Sequence, residues 1–337
     1  MSVKKRLSWF MVILFLGFSS ACEEEESPDY RSEMRAFVQS ISSWAKSIRT
    51  GFLVIPQNGS ELITLNGTPG GLPLQSYLDS IDGQGQEDLY YGYNADDQPT
   101  PSGEIAWLEP FLDTAVQNGV EVLVTDYCRT ISRVDDSYAR NTAKGYVSFA
   151  APFRELHSIP TYPAAPNNIN TANIFSLKDL KNFLYLINPS LYVDKAAFLN
   201  ALQDTDYDLL IIDLFFDGTE ILTPQDIISL KFKSNGAARL VVAYCSIGEA
   251  EDYRYYWQPG WGSSAPQWLA GENPNWPGNY SVRFWQEGWQ DIIYGSGGSY
   301  IKRIIDAGFD GVYLDKVDVY EYFEEVEKVT RAFLNRR

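Results

Sequence analysis

Histidine is almost missing. The 337-residue chain has one, His157. A single His cannot build a multi-histidine zinc site, and no H-E-x-x-H occurs. A Ser-His-Asp triad would rest on that one residue, which sits in the loop-like Leu156-His157-Ser158-Ile159-Pro160. Cations are also short: 27 Lys and Arg stand against 44 Asp and Glu, a formal charge of −17. Binding nucleic-acid phosphates needs the reverse balance, which argues against nucleic acid as a partner. No G-x-G-x-x-G follows a strand-like run, and Gly295-Ser296-Gly297-Gly298-Ser299 reads as a turn rather than a phosphate cradle. No cofactor and no metal site is expected. Acids and aromatics are plentiful, the latter with 9 Trp, 22 Tyr and 18 Phe. What remains is chemistry done by carboxylates, or a binding surface made of aromatics.

The first residues read as a targeting segment. Lys4, Lys5 and Arg6 form a basic start, and Leu7 to Phe18 an apolar run too short to span a bilayer. Ser19-Ser20-Ala21-Cys22 then looks like a bacterial lipobox, with Ser19 where Leu is usual. The expectation is a lipoprotein signal over 1–21, a lipidated Cys22, an acidic tether over 22–30 and a single domain over 31–337. Acylation at Cys22 would anchor the chain in the cell envelope through lipid alone. The run Glu23 to Glu26 resembles a lipoprotein surface-export signal, which would place the domain on the outer-membrane surface. Removing 1–21 takes away three cations and no anions, leaving 24 basic against 44 acidic residues, a balance of −20. A neutral or cationic substrate is then the easier partner. Cys128 and Cys245 each follow Tyr at the end of an apolar run, as buried thiols or as a disulfide.

Short apolar runs alternate with helical patterns. Strands are expected at Phe52–Pro56, Asp88–Gly92, Val122–Tyr127, Tyr146–Ala150, Phe183–Asn188, Leu209–Leu214, Leu240–Ser246, Tyr280–Trp285 and Val312–Asp315. Most are continuous rather than alternating, as in a parallel sheet covered on both faces. Helical spacing marks Met34–Arg49, Ile105–Asn118, Val193–Gln203, a helix opened by Thr223-Pro224 and closing at Asn235-Gly236, Ile301–Ala307, and Glu321–Arg337. The pattern predicts an α/β fold, a (β/α)8 TIM barrel with one short strand outside the ring; an open doubly wound sheet is the alternative. The Pro- and Asn-rich Ser158–Ser176 reads as a long connection between two halves.

In such a barrel the site lies at the C-terminal ends of the strands. Asp126, Asp213 and Asp315 each interrupt an apolar run there, Glu249 and Glu251 follow another, Asp318 follows Asp315, and Glu87 opens Glu87-Asp88-Leu89-Tyr90-Tyr91. Acids in such places are costly unless paired or functional. Glycoside hydrolysis is the natural use of two carboxylates: one protonates the leaving oxygen, the other attacks the anomeric carbon or activates water. Tyr244, Tyr253, Tyr255, Tyr256, Trp257, Trp285 and Trp289, near the same loops, suit sugar rings.

Six segments together carry a family resemblance: Tyr244–Trp257 (YCSIGEAEDYRYYW), Gly308–Asp318 (GFDGVYLDKVD), Ile55–Gly59 (IPQNG), Glu87–Gly92 (EDLYYG), Val124–Cys128 (VTDYC) and Leu210–Phe215 (LIIDLF). The chain resembles glycoside hydrolase family 114, the endo-α-1,4-polygalactosaminidase-like TIM barrels, some of which are labelled as related to cysteinyl-tRNA synthetase. The segment order differs from the family's, in which those like IPQNG, EDLYYG and VTDYC come last. The resemblance therefore implies a circularly permuted barrel, with Ser158–Ser176 joining the ancestral ends. It implies Asp315 as nucleophile and Glu87 as acid/base. Asp213, Tyr244, Glu249, Glu251, Asp126, Gln57, Asn58 and Arg254 would line the substrate site. Lys316, where fungal relatives carry Asn, would hold Asp315 ionised. The implied activity is a glycoside hydrolase, retaining, on a galactosamine-type polysaccharide, with the protein a monomer. A non-catalytic carbohydrate-binding lipoprotein and an inverting carboxylate enzyme are the competing readings.

Overall fold

The computed structural model describes residues 27–334. The expected signal over 1–21, Cys22 and the Glu23–Glu26 run lie outside the described residues, as do residues 335–337. The first described helix is α1 (Tyr30–Ile48), which starts ahead of the expected Met34 because Asp29 caps it by accepting from the Ser32 N–H at 3.1 Å. There follow β1 (Leu53–Pro56), α2 (Gln75–Leu78), β2 (Gly83–Glu87), α3 (Ser102–Gln117), β3 (Glu121–Tyr127), α4 (Ile131–Lys144), β4 (Val147–Ala151) and β5 (Leu184–Tyr185). The second half holds α5 (Lys195–Gln203), β6 (Leu209–Asp213), α6 (Pro224–Leu230), β7 (Leu240–Ser246), β8 (Glu249–Glu251), β9 (Leu269–Glu272), β10 (Asn279–Val282), α7 (Glu287–Ile293), α8 (Tyr300–Ala307), β11 (Gly311–Asp315) and α9 (Tyr320–Leu334).

The class is α/β with parallel sheets. One sheet has the order β1-β11-β7-β6-β5, the other β2-β3-β4, and both are parallel throughout. A single parallel bridge, Gln57 to Gly85, ties the end of β1 to β2. At the other margin, Phe149 of β4 packs on Phe183 beside β5, ring centroids 5.8 Å apart. The strands are buried runs, as their continuous apolar sequence requires. Helix α1 buries Met34, Phe37, Val38, Ile41 and Ala45 from one stripe. It lies against α9, joined by Arg31 and Glu324 at 2.8 Å. No described helix is long and apolar enough to cross a membrane.

Several expectations shift. The second strand is Gly83–Glu87, not Asp88–Gly92. Its sequence, GQGQE, has no apolar signal, while Leu89, Tyr90 and Tyr91 are buried as a loop anchor. Gly85 must be glycine: a Cβ there would lie 2.1 Å from the Tyr313 hydroxyl, which fills the space. Tyr280–Trp285 yields β10, in a three-stranded antiparallel sheet β8-β10-β9 that also takes Glu249 and Glu251 away from the end of β7. Helix α6, capped by Thr223 as expected, stops at Leu230, since Phe232 then bridges back to Ala238. Helix α4 was hidden because Ser137 and Asn141 share its buried face with Val134 and Tyr138. The Ser158–Ser176 connection is tied down by Lys233, which donates to the Asn170 and Ala172 carbonyls at 2.6 and 2.8 Å and pairs with Asp208 at 2.8 Å, both side chains wholly buried.

Candidate active site

Alternation along the strands decides which side chains converge. In register, Glu87 lies beside Thr125, Tyr313 beside Tyr244, and Asp213 beside Tyr244, so these point to one side. The C-terminal ends of β2 and β11 thereby bring Glu87 and Asp315 together. Gln57, just past β1, lies between them. Its Nε2 donates to Glu87 Oε2 at 2.7 Å and to Asp315 Oδ1 at 3.0 Å. Those two oxygens can be no farther apart than the two legs laid end to end. That is below the ~6.5–9.5 Å of inverting pairs and compatible with the ~5–5.5 Å of retaining ones.

Each acid is held by further donors. Asn58 Nδ2 reaches Glu87 Oε2 at 3.1 Å, while Asn58 Oδ1 accepts the Glu87 N–H at 3.0 Å. The Tyr127 hydroxyl meets Glu87 Oε1 in a short hydrogen bond. Asp315 accepts from the Tyr244 hydroxyl at 2.8 Å and from the Lys316 N–H at 2.7 Å. Below them, Tyr185 packs edge-on against Tyr313, centroids 5.2 Å apart. Both acids are half-buried, so solvent still reaches them.

Burial raises both carboxyls. Glu87 is raised by burial first and by the neighbouring Asp88 second. Asp315 is pushed up to about 7, by burial first and by Glu87 second, against the pull of Lys316 and Tyr244. Two carboxylates this close do not both ionise at low cost. The Lys316 cation favours charge on Asp315, and Asp88 disfavours charge on Glu87, so Asp315 is the first of the two to ionise and the remaining proton stays on Glu87. Lys316 itself stays protonated: burial lowers its pKa, but Glu249, Asp318 and Asp315 outweigh that.

The remaining expected residues fall into four groups. Gln57, Asn58 and Tyr244 touch the acids directly. Asp213, Glu251 and Arg254 turn to one another: the guanidinium donates to both Asp213 oxygens at 2.8 and 2.6 Å and to Glu251 Oε2 at 2.5 Å, and all three are buried. Each was expected to line the substrate; here they form an internal ion cluster that stiffens one wall, with half-exposed Tyr253 donating to Glu251 on its rim. Glu249, also buried, pairs with Lys316 at 3.2 Å and accepts from Asn273 at 2.8 Å. Asp126 does not face the site at all, which corrects its expected role. One residue out of phase with Glu87's neighbour Thr125, it is fully buried on the other side of β3. There it accepts from the Tyr90 and Tyr91 N–H groups at 2.8 and 3.2 Å, and from Ser137 and Asn141 at 2.6 and 3.2 Å.

Tyr127, Asn273 and Tyr313 were not anticipated. Period-two counting would have found Tyr127 from Thr125 and Tyr313 from Asp315; nothing in the sequence marks Asn273. Cys128 and Cys245 are both buried and unpaired. Among the described residues, no group of three or more His, Cys, Asp or Glu is arranged to hold a metal ion.

Comparisons with known proteins each cover part of the chain. An uncharacterized protein of Methanocaldococcus jannaschii is 38% identical over 183 residues, 53% of this chain and 49% of that protein. One of Thermotoga maritima is 33% identical over 186 residues, 48% of this chain and 55% of that protein. One of Deinococcus radiodurans is 41% identical over 123 residues, 36% and 37% of the two chains. The chain thus spans about half the length of the first two relatives and less of the third. Gln57, Asn58, Glu87 and Tyr127 come from outside the region that matches a family model; Asp213, Tyr244, Glu249, Glu251, Arg254 and Asp315 fall within it. Residues 196–333 match the model of the glycoside-hydrolase family GH114.

Proposed function

We propose that this protein is a retaining glycoside hydrolase working with Asp315 and Glu87. One observation carries the reading: a single amide nitrogen, Gln57 Nε2, is hydrogen-bonded to both carboxylates. In the first step, Glu87 gives its proton to the glycosidic oxygen as the C1–O bond breaks, and an Asp315 oxygen bonds to C1. The released sugar leaves with a new hydroxyl. In the second, Glu87 takes a proton from water, the water oxygen bonds to C1, and the bond to Asp315 breaks. Both carboxyls return to their starting states.

The substrate is a galactosamine-type polysaccharide, which the family resemblance and the acidic chain support. The eight parallel strands form one (β/α)8 barrel; the Gln57–Gly85 bridge and the Phe149–Phe183 contact support continuity across both gaps between the sheets. The barrel is permuted, in agreement with a family match confined to 196–333 and with α1 and α9 lying side by side. The chain is a monomer, anchored by lipid at Cys22 in the cell envelope and facing outward from the outer membrane. Radiolabelled palmitate should label the wild type and not Cys22→Ala; label on both would remove the anchor.

The test of activity is release of reducing ends from galactosamine polymers by the purified protein, with the anomer of the fresh end read by NMR. Retention with the wild type, and no release by Asp315→Asn or Glu87→Gln, is expected. An inverted product or full turnover in either variant overturns the assignment. Binding without release by the wild type would make the protein a carbohydrate-binding lipoprotein instead.

A further inference from the structure

The partners of Glu87 differ between its two oxygens. Oε2 faces two amides, Gln57 Nε2 and Asn58 Nδ2. An amide NH2 donates and does not accept, so Oε2 has no place for a proton. Oε1 faces the Tyr127 hydroxyl, which can donate to a carboxylate or accept from a carboxylic acid. Tyr127 closes β3 and is 1% exposed. Its ring lies under the Arg154 guanidinium, 3.9 Å from the ring centroid. Arg154 is fixed in turn by Asp88 at 2.7 and 3.2 Å, by Asp96 at 2.9 Å and by the Gly92 carbonyl at 3.0 Å. The hydroxyl therefore has little freedom to turn away from Glu87.

We infer that Tyr127 is a positioning residue for Glu87, keeping the transferable proton on Oε1 and donating to that oxygen once the proton has gone. The inference rests on Glu87 being the acid/base. The other charged and titratable groups facing Glu87 are Asp315 across the site, Asp88 and Arg154 beside it, and the buried phenols Tyr185 and Tyr313. Tyr127→Phe leaves all of these in place and keeps a ring beneath Arg154. It takes one donor from the ionised form of Glu87, so Glu87 keeps its proton to higher pH.

The experiment measures kcat/KM against pH for wild type, Tyr127→Phe and Glu87→Gln on the cleaved polymer. It is repeated on an oligosaccharide whose leaving group is an acidic phenol, which needs little protonation. Tyr127→Phe should move the alkaline limb upward by about 1–2 pH units, the effect of losing one hydrogen bond to a charged group. Turnover should fall more on the polymer than on the phenol glycoside. A second variant, Tyr127→3-fluorotyrosine, offers a stronger donor and should move the limb down. An alkaline limb unmoved in both variants, with equal losses on both substrates, overturns the inference. Wild-type turnover surviving in Glu87→Gln would instead sink the acid/base reading on which it rests.

Discussion

Asp315→Asn should make the protein more stable at neutral pH and above while ending turnover. In the folded chain this carboxyl is raised from the ordinary 3.8 to about 7, by burial and by Glu87. Between those two values the native state holds a proton that the unfolded chain has lost. Stability therefore falls as pH rises through that window and levels off above it. At ~1.4 kcal/mol for each pH unit of that window, the cost reaches at most about 4 kcal/mol. Solvent at the half-buried carboxylate reduces it further. The substitution keeps the packing: the new carbonyl can take the Gln57 and Lys316 N–H groups, and the new amide can donate to the Tyr244 hydroxyl. Urea unfolding of both proteins from about pH 4 to about pH 8 reads the effect. The two midpoints should nearly coincide at the acid end, and the variant should be the more resistant at the alkaline end. A gap of constant size at all pH values, or a variant weaker than wild type at about pH 8, would refute the claim that Asp315 is ionised at a cost.

Gln57→Leu should fold and lose kcat by ~100-fold or more on the polymer, since each of the two acids loses a donor worth ~1.5–3 kcal/mol; unchanged kcat would remove Gln57 from the site. Asp126→Ala should lower unfolding free energy by ~3 kcal/mol or more in urea, because it takes a buried acceptor from four donors, while the folded fraction keeps its kcat. A large kcat loss at intact stability would return Asp126 to the reacting groups. Lys233→Met should cost ~3–5 kcal/mol by leaving Asp208 buried without its cation, and proteolysis should then cut first within 158–176. Wild-type stability in that variant would show that the Lys233 tether does not hold the connection.

The strands that could be read from the chain are those whose apolar character comes from burial on both faces, such as Leu209–Asp213, Leu240–Ser246 and Gly311–Asp315. An acid closing such a run is visible because it breaks the pattern, and so Asp315 and Asp213 stood out. Strand β2 was invisible for the opposite reason: its inward positions include glycine, because Tyr313 from β11 occupies their volume. Glu87 was thus read as opening the Asp88–Gly92 run, and only the EDLYYG resemblance gave it a role, whereas it closes β2. Asp126 was misplaced by treating a strand end as a point, when the two-residue period sends neighbours to opposite faces.

Composition and pattern alone pointed to carboxylates at strand ends on an α/β frame. Those are properties of residue type and of local periodicity, and both survive without a third dimension. Which acids meet was decided by register between strands far apart in sequence. Gln57 and Asp315 are 258 residues apart and share a hydrogen bond. The same long-range packing took Asp213 and Glu251 out of the open site and gave them to Arg254. A buried charge needs a partner at hydrogen-bond distance, and only the tertiary structure shows whether that partner is protein or is left for a substrate.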